Sequence, residues 1–199
     1  MSDFTDFLSN VKKWVGRPDF DDALTTSFVR MAETTLSQTL RVKEMVVRSV
    51  ATITEGRVAL PLDFVHAELI VGPKGKPLLF RSPTEYFEKD HRPEHWYTII
   101  GGEILFAAPI DEIEGAEITM WYFQFVPTFT GASTWLHSKY YHIFLQSCNA
   151  AAALFSQEYE RATSIEGIAS GLVQMANDTY EKSKTSGSVL RTQLVRRKI

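Results

Sequence analysis

Apolar positions near the start of the chain recur every three or four residues. Phe4, Phe7, Leu8, Val11, Trp14 and Val15 share one face, and Gly16 followed by Pro18 closes the run, which predicts a helix over 4–15. Asp19, Asp21 and Asp22 then place negative charge where a second helix dipole begins. Leu24, Phe28, Met31, Ala32, Leu36 and Leu40 line the face of that helix out to about Arg41. From Met45 the period drops to two, with Val47, Ser49, Ala51 and Ile53 opposed to Val46, Arg48, Val50 and Thr52, the alternation of a strand. Glu55-Gly56 reads as a hairpin turn into 57–60, and Pro61, with no N–H to donate, ends the pairing. Residues 66–71 and 77–81 read as a second pair across the turn-rich Gly72-Pro73-Lys74-Gly75-Lys76.

Ser82-Pro83-Thr84-Glu85 is a capping box that predicts a short helix over 83–87. The clearest hairpin pairs 96–100 with 103–107 around Gly101-Gly102, because paired glycines accept the positive φ angles of a tight turn. A long strand is expected over 116–126, stopped by Pro127. Ser133 or Thr134 then caps a helix predicted to run unbroken from 135 to about 159. It is apolar almost all round (Leu136, Ile143, Phe144, Leu145, Cys148, Leu154), as for the centre of a bundle. Thr163-Ser164-Ile165-Glu166 is expected to open the last helix, with Ile165, Ile168, Leu172 and Met175 on one side. The fold class that follows is α+β: an antiparallel bundle of two N-terminal and two C-terminal helices (1–44 and 132–183), an inserted antiparallel β domain (45–131) and an extended C-terminal arm (184–199).

Composition changes this picture little, and charge changes it more. The 199 residues are 44% hydrophobic and 23% charged, which places the chain among globular domains and against bulk disorder. The single Cys148 excludes an intramolecular disulfide framework. No run approaches the roughly 18 apolar residues of a membrane span and no signal-like start is present, so a protein that stays in the cytoplasm where it is made is expected. Net charge is −3, but Lys182, Lys184, Arg191, Arg196, Arg197 and Lys198 stand against only Glu181 from 181 onward. An acidic body with a basic tail points to a tail that docks. The aliphatic Leu190, Leu194, Val195 and Ile199 interleaved with Arg191, Arg196, Arg197 and Lys198 favour a protein groove over phosphates.

Candidate chemistry is sparse. His91-Arg92-Pro93-Glu94-His95 sets two histidines near a carboxylate, but a zinc site needs three or four ligands and the further ligand is not identifiable, so a solvated loop is the expectation. A ligand-binding module or metal-dependent enzyme using this loop is the alternative from another class. His137 and His142 lie five apart on a helix, hence on different faces, and read as packing or interface residues. Trp121-Tyr122-Phe123-Phe125 reads as a strand buried on both faces in preference to a stacking platform for a sugar or base. The GxSxG, GxxxxGK[ST] and GxGxxG signatures do not occur. No cofactor and no catalytic residue are expected.

Phe28-Val29-Arg30-Met31-Ala32-Glu33, Leu40-Arg41 and Met45, then Leu60-Pro61-Leu62-Asp63-Phe64 after a strand, form an ordered set. It continues with Tyr97-Thr98-Ile99-Ile100-Gly101-Gly102-Glu103-Ile104, Ala108-Pro109, Trp121-Tyr122 and Trp135-Leu136 ahead of Tyr140-Tyr141. The set resembles the head-to-tail adaptor (connector) proteins of tailed bacteriophages over about residues 4–180, and its large β insertion is similar to the tubular-tail-protein type. The resemblance implies a non-enzymatic virion protein of the neck. Such a protein forms a ring, usually of twelve copies, beneath the portal around a lumen through which the genome passes without sequence-specific binding. It implies as partners other copies of the chain, the portal protein and a downstream tail or neck protein. The C-terminal arm (Leu190, Arg191, Leu194, Val195, Arg196, Arg197, Lys198, Ile199) would meet the portal, and His91, Arg92, Glu94 and His95 would form a tail-facing loop. A tail-completion or gatekeeper ring lower in the neck is the alternative within this class.

Overall fold

A computed structural model describes residues 3–88 and 93–185. It is mixed α and β, in two compact units: 1–44 with 125–199, and 45–124.

The first unit is helical. Helix α1 (Asp3–Val15) buries Phe7, Leu8, Val11 and Val15 but leaves Trp14 exposed. It ends on Gly16, at φ 77°, where the N–H groups of Gly16 and Arg17 close back onto the Lys13 and Lys12 carbonyls. Helix α2 (Asp22–Thr39) starts at Asp21, whose carboxylate accepts from Leu24 N at 2.6 Å. Its inward face is broader than the apolar stripe predicted. Val29, Glu33 and Ser37 are buried beside Phe28, Ala32 and Leu36, whereas Met31 turns outward.

The long helix expected over 135–159 is three pieces: α5 (Trp135–Lys139), α6 (Tyr141–Phe155) and the start of α7 (Tyr159–Thr185), numbered after the short α3 (Pro83–Glu88) and α4 (Ile110–Ile113) of the other unit. Tyr140 leaves helical geometry (φ −119°, ψ 33°), which divides α5 from α6. Gln157 takes a left-handed conformation at φ 61°. Its N–H bonds the Leu154 carbonyl and that of Glu158 bonds Ala153, a glycine-type helix stop made without glycine. The expected capping box at 163–166 is therefore helix interior, and the Thr163 hydroxyl donates back to the Tyr159 carbonyl instead. Helices α2 and α7 pack on α6, and α1 packs on α2 and α6. Cys148, on α6, is fully buried, and burial together with the Glu33 charge pushes its thiol pKa well up.

The second unit holds two sheets. Strands β1 (Val46–Thr52), β7 (Glu117–Gln124) and β3 (Phe64–Val71) form one in the order β1-β7-β3, antiparallel throughout. Strands β2 (Arg57–Ala59), β6 (Glu103–Phe106), β5 (Trp96–Ile100) and β4 (Leu79–Phe80) form the other in the order β2-β6-β5-β4. The predicted hairpin of β5 and β6 is present, with Gly101 and Gly102 at φ 61° and 85°. Two other expected pairings are corrected. Thr54 and Arg57 do close a tight turn, but β1 continues onto β7 and β2 onto β6, so the turn joins different sheets. The partner expected for β3 becomes β4, which runs parallel to β5; the residues leading into it meet β3 through Leu78 N to Ile70 O and a bridge between Pro77 and Val71. The β domain is thus mixed, not purely antiparallel.

Helix α3 (Pro83–Glu88) is capped by Ser82 as predicted, and α4 (Ile110–Ile113) is a single turn. Ile53, Val58, Ile70, Tyr97, Ile104, Ile118, Met120 and Tyr122 form a core shared by both sheets. Tyr122 and Phe123 point to opposite faces of β7 and both are buried, in keeping with a strand buried on both faces, although Phe125 beyond it is exposed.

The Tyr122 hydroxyl donates to Asp63 Oδ1 at 2.9 Å, and burial with that carboxylate pushes its pKa from 10.0 up to about 12. A raised folded-state value contributes stability below pH 10 that is lost as pH climbs through 12. The wild-type urea midpoint should fall more steeply between pH 10 and about 12 than that of Tyr122→Phe, which cannot ionise there. Parallel curves would remove this role for the phenol.

Candidate functional site

Polar side chains buried in the helical unit converge on the two places where the chain leaves and rejoins it. Glu33, 6% exposed, accepts from Phe129 N at 2.7 Å and from Arg30 Nη1 at 2.7 Å, while Arg30 Nη2 donates to the Phe129 carbonyl at 3.2 Å. One turn on, Ser37 donates to the Glu33 carbonyl and accepts from Val126 N at 3.0 Å. Residues 125–129 return from β7 as extended chain whose backbone groups have no helical partner. The side chains of α2 supply those partners, as a neighbouring strand would. Phe129 is fully buried against Phe4, Phe7, Phe144 and His137, with ring centroids 4.7–6.3 Å apart.

The departing side is held in the same way. Asn177 on α7 accepts from Arg41 N at 2.6 Å and donates to the Thr39 carbonyl at 3.0 Å, closing the end of α2 with one amide. Glu44 accepts from Lys139 Nζ at 2.7 Å and Tyr140 Oη at 3.0 Å, which fixes the break between α5 and α6. Burial raises the Glu44 pKa, but the bonds from Lys139 and Tyr140 outweigh it and leave the value lowered. Burial with Glu44 pushes the Tyr140 phenol up to about 12.

The predicted site residues divide. His91 and Arg92, and the arm residues Leu190, Arg191, Leu194, Val195, Arg196, Arg197, Lys198 and Ile199, lie outside the described residues. Glu94 pairs with Lys74 Nζ at 2.9 Å, and Lys74 also reaches Glu112 at 3.3 Å; His95 is exposed. Among the described residues no group of three His, Cys, Asp or Glu side chains is placed to hold a metal. His137 is a packing residue, with its Nδ1 2.7 Å from Ser133 Oγ and its rings on Phe7, Phe129 and Tyr141; burial lowers its pKa. His142 is exposed.

Sequence reasoning missed Arg30, Glu33, Ser37 and Asn177 as contacts. The available signal was Glu33 and Ser37 falling at i and i+4 on the inward face of a helix.

The helical unit also exposes several large apolar side chains. Leu154, Phe155, Ile168 and Met175 are each more than half exposed, and Ile165, Ile168, Leu172 and Met175 recur along α7 at three- and four-residue spacing. Between α2, α6 and α7 runs a groove of about 460 Å³. Its lining is mostly alanine, threonine and leucine, with Glu166 as the one charged residue. No helix among the described residues is long and apolar enough to cross a membrane.

The buried polar groups of the helical unit fasten joints, and large apolar side chains left exposed on its helices are what a surface made for contact with another chain offers. The family model for the SU10 adaptor protein matches residues 2–192, and the chain belongs to that family. The family is one of phage adaptor structural proteins, virion components of the neck region that assemble with proteins such as portal and tail. No curated protein matches the chain.

Replacing Glu33 by Ala strands Phe129 N–H in the core and should cost about 2–3 kcal/mol, read as a lower urea midpoint. Asn177→Leu, in a more exposed place, should cost about 1 kcal/mol. Equal effects would show that Glu33 holds nothing the surface does not.

Proposed function

We propose that the protein forms a ring, dodecameric in adaptors it resembles, between portal and tail, with a central channel for the genome. The observation that carries this reading is the heptad-like stripe Ile165, Ile168, Leu172 and Met175 on α7, with Ile168 and Met175 exposed and Ile165 and Leu172 half-buried. A second copy supplies the natural cover for such a stripe, by the packing that joins helices in bundles. The interior glycines Gly167 and Gly171 support it. Each costs roughly 1 kcal/mol against alanine in a helix, and a Cβ at either would meet nothing within 4 Å in the isolated chain. Open space beside them lets a neighbouring helix approach.

In this reading 1–44 and 132–183 build the ring body, the insertion 45–131 faces the tail, and the arm 184–199 rises to the portal. The sequence supports that assignment: the arm is basic and aliphatic, and negative charge prevails in the rest of the chain, so a lumen wall formed by the body would repel DNA.

Deleting 189–199 should leave the body folded by circular dichroism and abolish attachment to portal-bearing heads. A truncated protein that still completes heads would overturn the assignment of the arm. Separately, Ile168→Asp and Met175→Asp should each weaken ring assembly by about 2 kcal/mol if they sit at the centre of the contact, measured by native mass spectrometry on portal complexes. Rings of unchanged stability would remove α7 from the interface.

A further inference from the structure

The groove between α2, α6 and α7 has a floor of small and aliphatic side chains: Ala32, Leu36, Ala150, Ala151, Ala162 and Ala169. Its rim is hydroxyl and amide, from Thr35, Thr163, Gln174 and Asn177. Glu166, exposed on the α7 side, is the one charge in the lining, with no partner given to it by any cation of the described chain. Such a groove takes an extended peptide that offers aliphatic side chains to the floor and one cation to the rim.

We propose that in the unassembled subunit this groove is filled by the chain's own C-terminal segment, residues 189–199. Three features select that occupant. The described chain ends at Thr185, the C-terminal end of the helix that forms one wall of the groove. From there the near end of the groove, Asn177, lies about 12 Å back along α7 and Glu166 about 29 Å back, at the rise of an α-helix. Residues 186–199 span up to roughly 45 Å when extended, and Ser186-Gly187-Ser188 supplies the small residues a reversal needs.

Charge and pattern then set the register. Arg191 stands only about 20 Å along an extended segment and falls short of Glu166, whereas Arg196, Arg197 and Lys198 reach it. With Arg196 at Glu166, Leu194 lies over the alanine floor between Asn177 and Glu166, and Leu190 lies just past the Asn177 end of the groove. Tethering makes a weak contact sufficient, because a short flexible link gives an effective concentration on the order of millimolar.

This inference rests on the adaptor reading only for its consequence. If the same segment binds the portal, groove and portal compete for it, and a free subunit keeps its docking arm folded away until a head offers the better site. Occupancy of the groove in the free subunit is tested without a portal.

The full-length protein carrying Leu194→Cys is labelled with a benzophenone maleimide, which the buried Cys148 thiol does not take up. It is irradiated as a dilute monomer and the cross-links are mapped by mass spectrometry. Cross-links are expected within one chain on groove residues such as Thr35, Leu154 and Gln174. Adding Glu166→Arg, an exposed substitution that leaves the circular dichroism unchanged, should abolish most of them, and Arg196→Glu with Arg197→Glu in that background should restore them. Cross-links on 45–124, cross-links between chains, no cross-links, or a pattern indifferent to Glu166→Arg would each overturn the proposal. Failure of portal attachment with groove cross-links intact would instead count against the adaptor arm alone.

Discussion

Buried backbone that leaves regular structure must find hydrogen-bond partners, and the helical unit is arranged around two places where this requirement is acute. The segment that returns at Val126 and Phe129 is extended and carries a fully buried aromatic ring, yet it has no strand beside it. Arg30, Glu33 and Ser37 bond its N–H and C=O groups from the side of α2. The departing segment is met by the amide of Asn177 and the carboxylate of Glu44. Without these contacts several polar backbone groups would be stranded in an apolar interior, at a cost of about 1–3 kcal/mol each. The placement of a polar face on α2 follows from that need.

Much of this architecture was legible in the sequence. The change of period at Met45, the negative charge ahead of α2, the cap at Ser82 and the Gly101-Gly102 turn are local chemistry, and each operates as its residues predict. What could not be read depends on partners distant in the chain. Glu55-Gly56 makes the turn it promises, but Ile53 continues onto Ala116, so the turn joins two sheets. Gln157 stops α6 in a conformation for which glycine is the usual signal, and the capping box at Thr163 is overridden once α7 has already started at Tyr159. Glu33 takes its role from Phe129, a partner far along the sequence that no local pattern announces. The arm, with His91 and Arg92 of the 91–95 loop, lies outside the described residues.

Two kinds of surface remain on the helical unit, and they differ physically. The α7 stripe is convex, aliphatic and flanked by glycine, suited to another helix laid against it. The groove is concave, floored with alanine and marked by a single carboxylate, suited to an extended chain. Separate surfaces of different shape allow one contact to form before the other.

The position of Cys148 bears on durability. Its sulfur is sealed in the interior of α6 with its pKa driven upward, so little reactive thiolate forms at neutral pH. A virion component spends its extracellular life in air-saturated surroundings, where an accessible thiol would weld neighbouring copies together or climb toward sulfinic acid. Sheltered in this way, Cys148 is kept out of such chemistry for as long as the helices around it stay packed.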